Sequence, residues 1–214
     1  MLNGRKILWF CLGAACFTIS QPLLRLPILQ YVQNTTYYPL AYISNPLLIG
    51  ILIAFSAGIF EEGFRFLFKQ FLIKPAECSF SQPIIFGLGH GIAEALFILI
   101  PALSLVPVSQ LGLAFLERAL AIIMHVCLTV VVWNGFQRKR RILYLFAAIA
   151  VHGFVNSLIP ILSSLPNYVV LIESALAVMD LLMVVYLVCS KKYYVSGRNG
   201  ANEIKNDEID EIKA

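Results

Sequence analysis

Every histidine of this chain, His90, His125 and His152, lies inside a stretch otherwise apolar enough to span a bilayer. The same stretches hold Glu61, Glu62, Arg65, Glu94, Glu117, Arg118 and Asn156. An ionisable side chain at the bilayer centre costs about 2.5–3.5 kcal/mol on insertion scales, so such residues mark functional sites and proton pathways. Imidazoles and carboxylates at one depth are equipped for acid–base chemistry inside the membrane. Their spacing is helical. Glu61 and Arg65, His90 and Glu94, and His152 and Asn156 stand four apart, and Arg118 and His125 seven apart, so each pair shares a helix face.

The elements that must carry these residues are membrane helices. The chain has 214 residues, 59% hydrophobic and 13% charged, with a mean hydropathy of +0.81. Soluble domains carry roughly 25% charged residues. Apolar runs cover residues 7–32, 46–73, 83 to 100–105, 111–134, 142–162 and 168–188. Each is about the 20 residues a spanning helix needs. The expected fold is an all-α polytopic transmembrane bundle of about six helices, with Pro22 and Pro27 bending the first. The first run lacks a small-residue cleavage site and reads as a retained helix rather than a signal peptide. Residues 1–190 form the helical domain. Residues 191–214, with Glu203, Asp207, Glu208, Asp210 and Glu211 among Lys205 and Lys213, read as a solvated, flexible tail.

Charge sets the orientation. Arg5 and Lys6, Lys69 and Lys74, Arg138 to Arg141, and Lys191 with Lys192 flank alternate loops, whereas residues 33–45, 101–110 and 163–167 contain no Lys or Arg. The positive-inside rule then puts both termini in the cytoplasm. The net charge of +4 is a topology signal and not a nucleic-acid footprint. The five cysteines form no CxxC pair and read as small buried hydrophobes.

Depth brings the polar residues together. At 1.5 Å per residue, Glu61, Glu62 and Arg65 lie roughly 14–20 Å from the basic end, His90 roughly 10 Å, Glu94 roughly 16 Å, and His125 and His152 roughly 15 Å. Each has a structural reading too: Glu61 or Glu62 with Arg65 as a pinning ion pair, a histidine as a helix–helix hydrogen bond. Gly87 to Gly91 contains a GxxxG close-packing face that would carry His90 inward. Glu173 and Asp180, seven apart on the last run, are a sixth wall of the site or partners for Arg25. Together, Glu61, His90 and His152 are expected to converge on one polar cavity with His125 at its edge.

Three segments resemble a known group. Glu61-Glu62-Gly63-Phe64-Arg65 (EExxR), Phe86-Gly87-Leu88-Gly89-His90 (FxxxH) and His152-Gly153-Phe154-Val155-Asn156 (HxxxN) are similar to the three motifs of the CPBP clan, the CAAX-prenyl-protease-like and bacteriocin-processing (Abi) membrane proteases. Ala57 to Glu62, Gly87 to Ala95, and Glu117-Arg118-Ala119 with His125 are closer to its YhfC-like branch. The resemblance covers roughly residues 20–165. The arginine follows the glutamate pair by three positions where the prenyl-protease branch has four, and the chain begins one helix later than longer YhfC-like proteins. The resemblance implies an intramembrane endopeptidase of a bacterial plasma membrane acting on a peptide or membrane-protein substrate. It implies Glu61 as the base that activates water, Glu62 and Arg65 as its partners, and His90 and His152 holding water or the peptide. Asn156 would donate to the oxyanion, and Glu94, Glu117, Arg118 and His125 would support them.

Zinc stays open. His90, His125 and His152 would make a three-histidine site, but no HExxH helix is present, so a metal-free glutamate mechanism is the preferred expectation. Substrate is expected laterally or from the cytoplasmic side. The other readings are a proton-coupled carrier, for which no inverted repeat is visible, and a non-catalytic membrane scaffold or bacteriocin-immunity factor.

Overall fold

The computed structural model describes residues 4–73 and 78–194. Among these the secondary structure is helical throughout, and six helices are long and apolar enough to cross a membrane. Lys74 and the tail from residue 195 lie outside the described residues.

The first span is built from α1 (Gly4–Thr18), a π-helical segment Ile19–Arg25, and α2 (Leu26–Gln33). Pro22 lies inside the π segment. A proline ring cannot donate to the ladder and collides with the carbonyl four residues back. The wider π turn accommodates it and keeps the span helical through the place where the sequence puts a bend. A short helix, α3 (Tyr37–Ser44), fills the connection expected to be a loop. The second span is α4 (Pro46–Leu67), extended by a second π turn, Phe68–Leu72. Asn45 caps it by accepting from the Leu48 N–H at 3.1 Å, with Pro46 at the first helical position.

The remaining spans are α5 (Ser81–Leu105), α6 (Gly112–Gln137), α7 (Arg141–Leu162) and α8 (Tyr168–Ser190). A 3₁₀ turn, Lys191–Tyr193, continues α8, and Tyr194 is buried against the Phe80 ring at 5.2 Å. The helical body therefore reaches Tyr194, four residues past the expected domain boundary at 190.

The sidedness of each helix follows from its neighbours. α5 packs on α1 and α6, α4 packs on α7, and α6 touches α4, α5, α7 and α8. Every residue of α6 from 124 to 136 is buried. A helix apolar all round belongs in the middle of a bundle. α8 turns Val178, Leu181, Leu182, Val185 and Val188 outward, as a lipid-facing helix does.

Glycine permits the closest approaches. A Cβ on Gly13 of α1 would lie 1.9 Å from the Phe86 carbonyl oxygen, and one on Gly89 of α5 would lie 2.0 Å from that of Phe10. A Cβ on Gly87 would lie 2.6 Å from the Val126 Cα of α6. His90 stands between these contacts and is drawn into the interior.

At the basic end, Trp133, Phe86, Phe68 and Phe136 are buried together, and the Lys69 ammonium lies 4.4 Å from the centre of the Trp133 ring. Lys69 is thus buried under an indole rather than set at a solvated flank. The Asn134 amide donates to Tyr186 Oη and Ser190 Oγ, both at 2.8 Å, tying α6 to α8. Cys16, Cys78 and Cys127 are buried as small hydrophobes, while Cys11 and Cys189 face outward; all five are free thiols.

Candidate active site

Glu61 is the hub. It sits on α4, buried, four helices around it. Its Oε1 accepts from the Gln21 amide at 2.5 Å, and its Oε2 accepts from His90 Nε2 at 2.8 Å. The Arg65 guanidinium, one helical turn on, lies 3.6 Å from Oε2 and donates to Glu62 Oε1 at 2.5 Å.

Two imidazoles turn toward this carboxylate. His152 of α7 donates from Nδ1 to Glu62 Oε1 at 2.8 Å, which leaves Nε2 3.9 Å from Glu61 Oε1. His125 of α6 bonds through Nε2 to Glu94 Oε2, which leaves Nδ1 3.7 Å from Glu61 Oε2. Arg65 also donates to that Nδ1, at 2.6 Å. The hydrogen-bond partners assign the proton of each ring to the nitrogen facing its glutamate. Glu94 is held in turn by Arg118 at 3.1 Å, and Arg118 by Glu117 at 2.5 Å. A continuous ionic chain thus runs from Glu117 on α6 through Arg118, Glu94, His125, Arg65 and Glu62 to His152 on α7.

The structure brings Glu61, Glu62, Arg65, His90, Glu94, Glu117, Arg118, His125 and His152 into this one network. Asn156, one turn beyond His152, lines the same cavity as Glu61. His125 is at the centre and not at the edge, because Glu94 reaches across from α5 to hold it. His90 turns its Nε2 to Glu61, so the histidine and carboxylate atoms that gather within 4.8 Å of one another belong to Glu61, His125 and His152. That differs from the three-histidine set expected above.

Arg25 and Gln21 emerge from the structure. Arg25 donates to Ser56 Oγ at 2.9 Å, to the Ile53 carbonyl at 2.8 Å and to Gln21 Oε1 at 2.9 Å. It does not meet Glu173 or Asp180, which sit on α8, away from the first span; Asp180 is buried with neither oxygen hydrogen-bonded among the described residues. The signal for Gln21 and Arg25 was present as two polar residues four apart in an apolar run.

The cavity above Glu61 measures about 1030 Å³. It is walled by Phe17, Ile53, Phe97, Ile98 and Ile159 and runs up to Tyr38, Tyr42, Ser163 and Ser164. It therefore opens at the end whose loops lack Lys and Arg and not at the basic end, one of the two routes, lateral or cytoplasmic, expected for substrate. Gly58 and Gly153 let α4 and α7 meet beside it: a Cβ on Gly58 would lie 3.0 Å from the Ile149 carbonyl oxygen, and one on Gly153 2.5 Å from the Phe55 ring.

Metal chemistry suits this donor set on condition that Arg65 gives up its bond to His125 Nδ1, whose lone pair it occupies at 2.6 Å. Each of His125 and His152 has a carboxylate on its far nitrogen, the arrangement that orients histidine ligands of zinc. The spacings of 3.7 and 3.9 Å to Glu61 approach the edge of about 3.3 Å that a tetrahedron of 2.0 Å bonds would have. In the paired network four glutamates, Glu61, Glu62, Glu94 and Glu117, face two arginines, Arg65 and Arg118, a negative balance that a divalent cation would offset.

A helical membrane protein with a buried glutamate–histidine centre under an open cavity is the class these features define. The chain belongs to the YhfC intramembrane metalloprotease family, whose model matches residues 4–108 and 98–178. It is 33% identical over 95 residues to the uncharacterized membrane protein YhfC of Bacillus subtilis (strain 168), an alignment spanning 44% of this chain and 36% of that relative.

Proposed function

We propose that the chain is an intramembrane peptidase that hydrolyses a peptide bond with water at Glu61. The basic end faces the cytoplasm, so the cavity opens to the outside, and the helical body through Tyr194 carries the activity. The observation that supports this most is the pair of imidazoles, each fixed by its own glutamate and turned to Glu61 on the floor of an amphipathic cavity.

The chemistry divides among the residues. The peptide carbonyl comes to rest above Glu61, and Glu61 takes the proton of the attacking water. His90 holds the Glu61 carboxylate from Nε2, and Gln21 holds it from the other oxygen, so its orientation costs nothing at the moment of reaction. The amine that leaves collects the proton from Glu61. Asn156 donates to the oxyanion from the cavity wall. Glu62 and Glu94 keep His152 and His125 in their tautomers, and Arg65 balances the paired glutamates. In a zinc-bound form Glu61 would be a ligand together with His125 and His152 instead of the free base, and the ion would supply Lewis-acid polarisation and lower the pKa of its water toward 7.

The test is cleavage of a pool of membrane-spanning peptides by the purified chain, with Glu61→Gln beside it and with and without a strong chelator. Glu61→Gln keeps the size of the side chain and loses the proton acceptor, and turnover should fall by on the order of 10²–10⁴-fold. Full activity in that variant would remove the proposal. Loss on chelation with recovery on adding zinc would assign the metal. The carrier reading is disfavoured because none of the aromatic residues buried at the basic end lines the cavity.

A further inference from the structure

We propose that Arg25 is a carboxylate-binding subsite, so that the bond hydrolysed lies close to the free C-terminus of an apolar peptide. This rests on the peptidase reading above and narrows its substrate.

The guanidinium of Arg25 is partly buried on the wall of the catalytic cavity. All its hydrogen-bond acceptors among the described residues are neutral: a hydroxyl, a backbone carbonyl and an amide oxygen. The nearby carboxylates are engaged elsewhere, Glu61 by Gln21 and His90, Glu94 by Arg118 and His125. Glu61 and Glu94 attract this charge from a distance, but no carboxylate oxygen is paired directly with the guanidinium among the described residues, so its remaining N–H donors face the cavity with no charged acceptor.

The donors left over state which anion. A guanidinium has five N–H groups. In Arg25, Nε and each terminal nitrogen make one bond, so one N–H remains on each terminal nitrogen. That pair matches the two oxygens of a single carboxylate.

Position gives the distance to the scissile bond. Gln21 spans from Arg25 to Glu61 with one amide group. From those contacts and the dimensions of an amide, the guanidinium is at most about 8 Å from the Glu61 carboxylate, the reach of about two extended residues. With the terminal carboxylate on Arg25, water adds to the carbonyl carbon over Glu61 and the C–N bond breaks. A short C-terminal fragment leaves as the amine carrying the proton, and the remaining peptide keeps the new carboxylate. The apolar wall of Phe17, Phe97 and Ile98 receives the part of the peptide that stays.

The probes are one Ala/Leu-rich fluorescent peptide ending in a free carboxylate and the same peptide ending in a carboxamide, with the full chain in detergent. Binding is measured by anisotropy on Glu61→Gln, and cleavage on the unmutated chain by mass spectrometry. The acid should bind about 10- to 100-fold tighter than the amide, the range of one charge-assisted pair. Arg25→Gln in the Glu61→Gln background should bring the two level, with Arg25→Lys, which keeps the charge and loses the fork, in between. The unmutated chain should release a fragment of about two residues from the acid. Equal binding of acid and amide to the folded Glu61→Gln protein overturns the subsite whether or not the Arg25 variants fold. A preference that survives Arg25→Gln overturns it as well. An equal gain from an alkyl phosphate makes this a headgroup site and overturns the peptide reading. Carboxylate-selective binding that needs Arg25, without any cleavage, keeps the subsite and removes the peptidase; cleavage without preference does the reverse.

Discussion

Glu61 is held by amide and imidazole on its two oxygens, while Glu62 and Glu94 hold the rings of His152 and His125. Those rings separate two roles by experiment. If His125 is a metal ligand, His125→Ala should remove both bound zinc and activity; if it only steadies Arg65 and Glu61, activity should fall by less while zinc content stays unchanged. Elemental analysis of the purified variant beside its activity reads both. Glu173→Gln should cost activity less than twofold, roughly the scale of a residue outside the network; a loss as large as that of Glu61→Gln would mean that α8 belongs to the site. The motif residues were legible in the sequence because a charge stands out in an apolar run. Gln21 was not, and Arg25 was legible only as a partner of Glu173 or Asp180, because Pro22 between them made the run read as a bend and the partners of Arg25, Ser56 and Ile53, lie on another helix. The exchange of His90 for Glu61 in the donor group was also out of reach, since it depends on which ring nitrogen each carboxylate claims.

Helix crossings set the site, and glycine sets the crossings. Gly13→Ala should destabilise the protein by about 1–3 kcal/mol, because its Cβ would meet the Phe86 carbonyl at 1.9 Å, and backbone cannot yield as a side chain does. Gly63→Ala is the contrast. It lies next to Glu62 in sequence, yet a Cβ there meets nothing within 4 Å, so the change should stabilise by about 0.5–1 kcal/mol through helix propensity. Thermal unfolding in detergent checks both, and equal shifts would show that the crossing tolerates more space than the contact distances allow. The end of α6 offers a gain of the same size. Lys139 has φ 55°, the Arg140 N–H reaches the Gly135 carbonyl at 2.8 Å, and the Lys139 N–H reaches that of Phe136 at 3.4 Å. This is the glycine-favouring helix stop with a lysine in the left-handed position, and Lys139→Gly should raise stability by about 0.5–1 kcal/mol. An unchanged or lowered melting temperature would mean that the lysine side chain stabilises the turn by as much. The six spans were readable from hydropathy to within a few residues. The π segments and α3 were not: a π turn adds one residue to a 3.6 period without changing composition, and Tyr37–Ser44 has no charged face to mark it as a helix.

At the scale of the whole molecule, the basic residues gather at one end and the cavity opens at the other. Reporter fusions after Arg140 and after Leu165 should report cytoplasm and exterior respectively. The reverse result would turn the cavity toward the cytoplasm and restore cytoplasmic access, one of the two routes the sequence left open. The plug at the basic end then has an electrical meaning. A wet pit carries the outside potential down to Glu61, and the membrane voltage falls across the tightly packed layer of Trp133, Phe86, Phe68 and Phe136. A unit charge crossing that whole layer would feel about 2.3 kcal/mol per 100 mV. Under the proposed mechanism the protons exchanged at Glu61 would not cross it. Turnover in sealed vesicles should therefore follow the pH of the outer solution and stay constant when a potassium diffusion potential is imposed.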